Sequence, residues 1–415
     1  MISDPTESKA TTEAPAPAPA HMTMLPALRL FVAGDKVGIT KKFLDGMNEF
    51  CRLWAGPIRV LMQTDAQLSD NLDNVTVAPE SLPFELRVIE PPDQIALAEQ
   101  LRGTSVVVAS LDDHRQNGVG AVCRTESIPC IYVSEYTLKT RLQNVAASRR
   151  GLLQRLKSYL WLWNQERQRR AAVRAADAIQ CNGTPTYDAY NGVARDRLLY
   201  FDTRVMASMV ASDADVEQRC AGLLADEPLR LVFSGRLARV KGADHLLDVA
   251  AALRRLGVPF RMSICGGGEL DQALRARIAT EGLADRVTMM GTLDFETELV
   301  PFVKAQTDLF VCCHRQGDPS CTYLETMACG VPIVGYDNEA MTGLERTCGV
   351  GWTVPMDRPV RLAERIADLH RNRAAIRDMA LKSLAFARRH SAERTFAARV
   401  AQIKQFVRTT VPEGR

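Results

Sequence analysis

The chain contains no apolar run of about eighteen residues, the length a membrane-crossing helix needs, so no such helix is expected. It has no CxxC pair and no Cys/His spacing of the kind that holds zinc. Its formal net charge is only +3, too small to argue for nucleic acid, and no such partner is expected. The first two dozen residues lack the basic start and apolar centre of a secretion signal. They are rich in Pro, Ala, Thr and Glu, and residues 1–24 read as a disordered tail. The eleven cysteines are odd in number, and several (Cys265, Cys312, Cys313, Cys329) sit inside apolar runs. They read as buried small hydrophobes of a reducing cytosol. The expected location is therefore cytoplasmic.

What is present is an alternation of short apolar strands and helical stretches. The chain has 415 residues, 46% of them apolar, enough for two cores. Candidate strands in the first half are Leu28–Ala33, Ile58–Met62, Leu86–Ile89, Ser105–Ala109, Ile128–Val133, Ala178–Cys181 and Leu198–Phe201. A second cycle starts at Leu229 and continues through Phe260–Cys265, Arg286–Met290, Asp308–His314 and Pro332–Tyr336. Continuous apolar strands between helices imply parallel sheets covered on both faces. The fold expected is α/β, with two Rossmann-like doubly wound domains over 25–205 and 206–390 facing each other across a cleft. Residues 391–415 are left for a C-terminal helix.

Three segments of the second half suit a nucleoside diphosphate. In Ser234-Gly235-Arg236-Leu237-Ala238-Arg239-Val240-Lys241-Gly242 a strand ends in glycine and cations follow. Arg236 offers a planar fork and Lys241 a point charge for phosphate oxygens, although a solvated basic loop has the same composition. Cys265-Gly266-Gly267-Gly268-Glu269 joins a strand to a helix, and Gly266 and Gly268 let a ligand approach the backbone. Asp271 stands where a dinucleotide fingerprint has its third glycine, so NAD is not favoured. Next comes a helix beginning near Ser320-Cys321-Thr322, whose free N–H groups attract phosphate, with Glu325 one turn in, able to accept from ribose hydroxyls. Thr322 and Glu325 also match a capping box.

The order GRL…KG, strand-GGG, LETMACGVPIV resembles the donor domain of the family-4 retaining glycosyltransferases of the GT-B fold, from about Leu229 to Val354. The resemblance implies that Arg236 and Lys241 hold the donor diphosphate and Glu325 the ribose. It implies that backbone N–H groups at Ser320, Cys321 and Thr322 reach the phosphates. It also implies that no metal or other cofactor is needed beyond the nucleotide-sugar co-substrate. The last helix of that family crosses back to the first domain, which here points to about Ala392–Val407. Some positions depart from the pattern. Gly317 stands where the family has a second glutamate, and Asp318 is the nearest acid. Asp318 reads either as its replacement at the sugar or as a helix cap. Glu135 stands near where the family has a first-domain histidine and is the candidate for orienting the acceptor. The first-domain glycine loop is reduced to Gly34-Asp35-Lys36-Val37-Gly38, with Gly38 as its candidate contact.

From Lys139 to Arg174 ten lysines and arginines face one acid, Glu166, around Tyr159-Leu160-Trp161-Leu162-Trp163. This suits an anionic membrane surface, or else a helix that buries its aromatics and solvates its arginines. The leading reading is transfer of a hexose, with retention, from a nucleoside-diphosphate sugar to a lipid-linked or saccharide acceptor. The enzyme would be cytoplasmic, or peripheral on the inner face of the membrane. A sugar-nucleotide epimerase, an inverting transferase on the same fold and a non-catalytic nucleotide-sugar-binding subunit are the alternatives.

Overall fold

The first strand among the described residues is Met22–Leu25, not the more apolar Leu28–Ala33. The computed structural model describes residues 19–67, 73–90, 94–147, 151–225 and 227–407. The expected tail therefore stops short of residue 24, and its residues 1–18 lie outside the described residues, as do 408–415. Met22–Leu25 lies between two parallel neighbours, Ile58–Met62 and Val106–Ser110. Its one polar side chain, Thr23, is buried and shares a 2.7 Å hydrogen bond with Thr104. Leu30–Ala33 instead forms a hairpin with Lys36–Thr40, turned at Gly34-Asp35 with Gly34 at φ +65°. Thr64–Asp65 and Asn74–Val77 complete this small four-stranded sheet.

Seven parallel strands make the first large sheet. Their order is Arg197–Tyr200, Ala178–Asn182, Cys130–Ser134, Val106–Ser110, Met22–Leu25, Ile58–Met62 and Glu85–Val88. Successive side chains feed opposite cores, Val106 and Val108 on one face and Val107 and Ala109 on the other. The second sheet has six parallel strands, in the order Val287–Gly291, Phe260–Cys265, Leu229–Ser234, Leu309–Cys312, Ile333–Tyr336 and Trp352–Val354. Counted along the chain, the second sheet reads 3-2-1-4-5-6 from one edge and the first 3-2-1-4-5-6-7, the doubly wound order of a Rossmann fold with one further strand in the first. All eleven cysteines are free, and Cys265, Cys312, Cys313 and Cys329 are buried as their apolar surroundings imply.

The last helix, Ala392–Phe406, packs on the first domain. Phe396 meets Phe50 edge to face at 5.1 Å, and Arg399 donates to Gln180 while Gln180 donates back to the Arg399 carbonyl. The basic stretch forms two helices, Leu138–Ala147 and Leu152–Ala175; Arg149 and Arg150 lie outside the described residues. The expectation that the second buries its aromatics is corrected here: Trp161 is 48% exposed and Trp163 58%. Nor are its arginines all solvated, because Arg169 is 2% exposed and bound to Asp112. No helix among the described residues is long and apolar enough to cross a membrane.

Candidate active site

Sheets of this order bind ligands beyond the carboxyl ends of the strands where the order reverses. Each domain has a cavity there. The second-domain cavity, about 380 Å³, lies between the domains. Its wall includes Gly235, Gly266, Thr322 and Glu325 from one side and Lys41, Lys42 and Asp73 from the other. The first-domain cavity, about 500 Å³, shares Lys42 and Asp73 with it, so the two adjoin there.

The loop after Leu229–Ser234 is shaped by close backbone contacts. Gly242 has φ +66°, and a Cβ there would lie 1.9 Å from the Cys313 carbonyl oxygen. Only glycine lets this turn press on the end of the strand Leu309–Cys312. Arg315 braces the same turn, donating through both terminal nitrogens to Asp244 at 2.7 and 3.1 Å. Lys241 is thereby held with Nζ 3.7 Å from Asp318 Oδ2. Arg236 at the start of the loop is exposed, and its side chain has no hydrogen bond or ion pair among the described residues. Neither cation is part of the cavity wall itself; they flank it on the loop that Gly235 begins. The glycine turn fits against this loop. A Cβ on Gly266 would lie 2.0 Å from the Gly235 carbonyl oxygen, and one on Gly268 2.8 Å from that of Leu237. Gly266 also reaches the cavity, whereas Gly268 meets the Leu237 backbone.

The helix Cys321–Ala328 starts at the cavity. Its N-cap is Ser320, whose side chain makes no cap hydrogen bond, so Thr322 and Glu325 are not a capping box. The first-turn N–H groups, at Cys321 and Thr322, have no acceptor within the helix and carry its positive end. Burial, then Glu325, pushes the Cys321 thiol up to about 11, which keeps it neutral. Glu325 is mostly buried and accepts from Arg204 Nε at 2.9 Å.

Asp318 is not the cap either, because Ser320 holds that position. Its Oδ1 is buried with no hydrogen-bond partner among the described residues, while Oδ2 faces Lys241. A buried acceptor without a donor is costly unless a ligand hydroxyl supplies one. Asp318→Asn should therefore lower turnover at least tenfold at unchanged melting temperature. Steady-state kinetics beside a thermal melt will check this, and full activity in the variant would remove Asp318 from the site. Gly317 has its own reason. A Cβ there would lie 2.8 Å from Glu339 Oε2, a carboxylate that accepts from Thr137 Oγ1 at 3.0 Å across the interdomain seam. Glu339 fills the space that a side chain at 317 would need.

In the first domain, Glu135 follows the strand Cys130–Ser134 and lines the larger cavity. Asp112 fixes it by accepting from the Glu135 and Tyr136 backbone N–H groups at 2.7 and 3.3 Å. Burial, then the nearby Asp202 and Asp112, pushes the Glu135 carboxyl up to about 7, against the pull of Lys42 and Arg399. Lys42 pairs with Asp202; burial alone would lower its pKa, but Asp202 holds it well above the usual value. Gly38 does not belong to a loop. It sits mid-strand in the hairpin, opposite Phe31 and Thr76, and is not part of the described cavity walls. The two-residue turn at Gly34-Asp35 consumes the segment that reads as a glycine loop.

Sequence reasoning missed Arg204, Lys42, Asp202 and His314. His314 is buried, and burial followed by the charge of Lys241 pulls its pKa well below the ordinary value, so the ring is neutral. No local pattern marks these four, since their partners come from remote parts of the chain.

Residues 216–383 match the family described as glycosyl transferases group 1. That match falls within the second domain and leaves the first domain outside it. Alpha-D-kanosaminyltransferase of Streptomyces kanamyceticus is 31% identical over 169 residues, 40% of this chain and 43% of that protein. A GDP-mannose-dependent phosphatidylinositol monomannoside mannosyltransferase of Mycolicibacterium smegmatis is 32% identical over 129 residues, 29% and 33% of the two chains. These matches span less than half the length of the curated relatives. The fold likeness is wider. HepE of Anabaena, solved in complex with UDP, is 14% identical with a TM-score of 0.63, covering 93% of this chain and 99% of that one. Sucrose-phosphate synthase of Thermosynechococcus elongatus is 17% identical with a TM-score of 0.59, covering 93% and 98%. The architecture is GT-B, and the helix start, the Lys241 loop and Glu325 all lie within the matched glycosyltransferase domain.

Proposed function

We propose that this protein transfers a hexose from a nucleoside-diphosphate sugar to a saccharide or lipid-linked acceptor, with retention and without a divalent cation. One observation carries the reading. The bare start of the helix Cys321–Ala328 and Glu325 border one interdomain cavity, and Lys241 faces the loop leading into that helix. When the bond between the sugar C1 and the diphosphate breaks, negative charge grows on the leaving group. Lys241, Arg236 and the helix start are fixed positive charges for it, a role a metal has in other enzymes. The acceptor hydroxyl bonds to C1 and its proton passes to the leaving phosphate oxygen. Glu135, in the adjoining cavity, orients that hydroxyl. Lys42 and Asp73, on both walls, mark where acceptor meets donor. The test is release of nucleoside diphosphate from a panel of UDP-, GDP- and ADP-sugars with polar and lipid extracts as acceptors. Release from one donor that depends on the extract supports transfer. Nucleotide binding with no release from any donor would support the non-catalytic subunit instead.

The exposed face of Leu152–Ala175 supports a membrane-surface acceptor. Leu152, Leu156, Leu160 and Trp163 recur at spacings of four, four and three residues and are all exposed, with Lys157 and Arg167 also exposed on the helix. An apolar stripe with cations beside it suits an anionic leaflet. A variant with Trp161→Ser and Trp163→Ser should lose most co-sedimentation with phosphatidylserine-containing vesicles, and salt should release the wild type. Wild-type protein left in the supernatant at low salt would end the membrane reading. Trp161 also meets the His114 ring edge to face at 5.2 Å, so a melting curve of the variant accompanies the assay to show that it folds.

A further inference from the structure

Arg204 lies on the crossover between the domains, and its backbone is pinned from both sides. Asp202 N–H donates to Asn182 Oδ1 at 3.0 Å, and the Asp202 side chain pairs with Lys42 of the first domain. Just after Arg204, the Val205 carbonyl accepts from Ala392 N–H at 2.9 Å, where the last helix begins. From this fixed point the Arg204 side chain enters the interdomain cavity. Its guanidinium carbon sits 3.7 Å from the centre of the Phe295 ring, and Nε donates to Glu325 Oε1 at 2.9 Å. Phe295, Glu325 and Arg204 all belong to the cavity wall.

The geometry is one-sided. Only Nε of Arg204 is engaged, and its terminal nitrogens make no hydrogen bond among the described residues. Likewise Glu325 Oε1 is engaged and Oε2 accepts no hydrogen bond among the described residues. A carboxylate oxygen held on one side by a charged N–H, within a guanidinium fixed by an aromatic face, has lost its rotational freedom. The other oxygen then has a set direction toward the cavity. A long guanidinium stem that merely filled space would not need a hydrogen bond to a buried acid.

We propose that Arg204 is a positioning residue of the donor site, which orients the Glu325 carboxylate so that Oε2 accepts from the ribose hydroxyls of the nucleotide. This rests on the donor-site reading given above. The crossover thereby contributes to nucleotide selection, although it lies outside the matched glycosyltransferase domain. A cation that merely occupied the nucleotide's place would predict the opposite sign, since its removal would tighten nucleotide binding.

The test uses UDP, GDP and ADP, and the 2′,3′-dideoxy analogue of whichever binds. In the wild type the dideoxy analogue should bind at least tenfold more weakly. Arg204→Met keeps the stem on Phe295 and removes the donor. It should weaken the ribonucleotide at least tenfold and the dideoxy analogue less than threefold. Arg204→Lys, which keeps the charge but not the planar donor, should show the same selective loss to a smaller degree and covers the case in which Arg204→Met does not fold. Equal weakening of both nucleotides, no weakening, or tighter binding in the variants overturns the proposal. If none of the three nucleotides binds the wild type, the donor-site reading fails, and this inference with it. If Arg236→Ala abolishes binding while Arg204→Met keeps full ribose selectivity, only this inference fails.

Discussion

Lys241→Ala is expected to lower kcat/KM for the donor sugar at least tenfold, about 1.4 kcal/mol of transition-state stabilisation, and Arg236→Ala to do the same. The reasons differ for the two residues. Lys241 is mostly buried, locked on a turn that only Gly242 permits, and its charge faces Asp318 and is near enough to help keep the His314 ring neutral. A fixed cation in a partly dry site stabilises developing charge without reorganising. Arg236 is exposed and unpaired among the described residues, so it remains available to a ligand. Its loss should appear more in KM and that of Lys241 more in kcat. Steady-state kinetics on both variants, with melting curves to show that they fold, will decide it. Normal turnover in both would move the donor site elsewhere.

Arg169→Met is expected to cost about 3–5 kcal/mol of folding stability, the range for breaking a buried ion pair. Arg169 Nη2 donates to Asp112 at 2.8 Å and to the Tyr136 carbonyl at 3.1 Å, and Nε to the Tyr190 hydroxyl at 3.3 Å. Without it the Asp112 carboxylate stays buried, supported only by the backbone N–H groups of Glu135 and Tyr136. The same loop carries Glu135, so the loss should also reduce turnover. Urea unfolding will measure the cost. A double variant, Arg169→Met with Asp112→Leu, should recover part of it, because replacing both partners by apolar groups removes the unpaired charge. A loss under about 1 kcal/mol in the single variant would contradict the picture of a buried brace.

The donor half was legible in the sequence because its chemistry is local. The strand end, the Arg236–Gly242 loop and the Glu325 helix each lie within a few residues, and their order survives translation into space. The first half was less so. MTML, four residues with a threonine inside, gives a weak signal, while LRLFVA gives a strong one and belongs to a hairpin. The difference is made by tertiary pairing, with Thr23 satisfied by Thr104. The partners that complete the site are equally silent, since Arg204 meets Glu325 across 121 residues and Lys42 meets Asp202 across 160. Two bland readings also dissolved only in three dimensions. Ser320 holds the N-cap position without a side-chain cap bond, so Thr322, Glu325 and Asp318 do not cap the helix. The glycine at 317 is explained by Glu339, a residue from another element that occupies its space.

The central claim is that a nucleoside diphosphate binds beside Arg236 and Lys241 in the interdomain cavity. Its most direct test is the melting temperature of the wild type and of the Arg236→Ala/Lys241→Ala double variant with UDP, GDP and ADP, each at saturating concentration. The account predicts that one nucleotide raises the melting temperature of the wild type, through binding to the native state alone, and leaves the folded double variant unmoved. An equal rise in both proteins would contradict it.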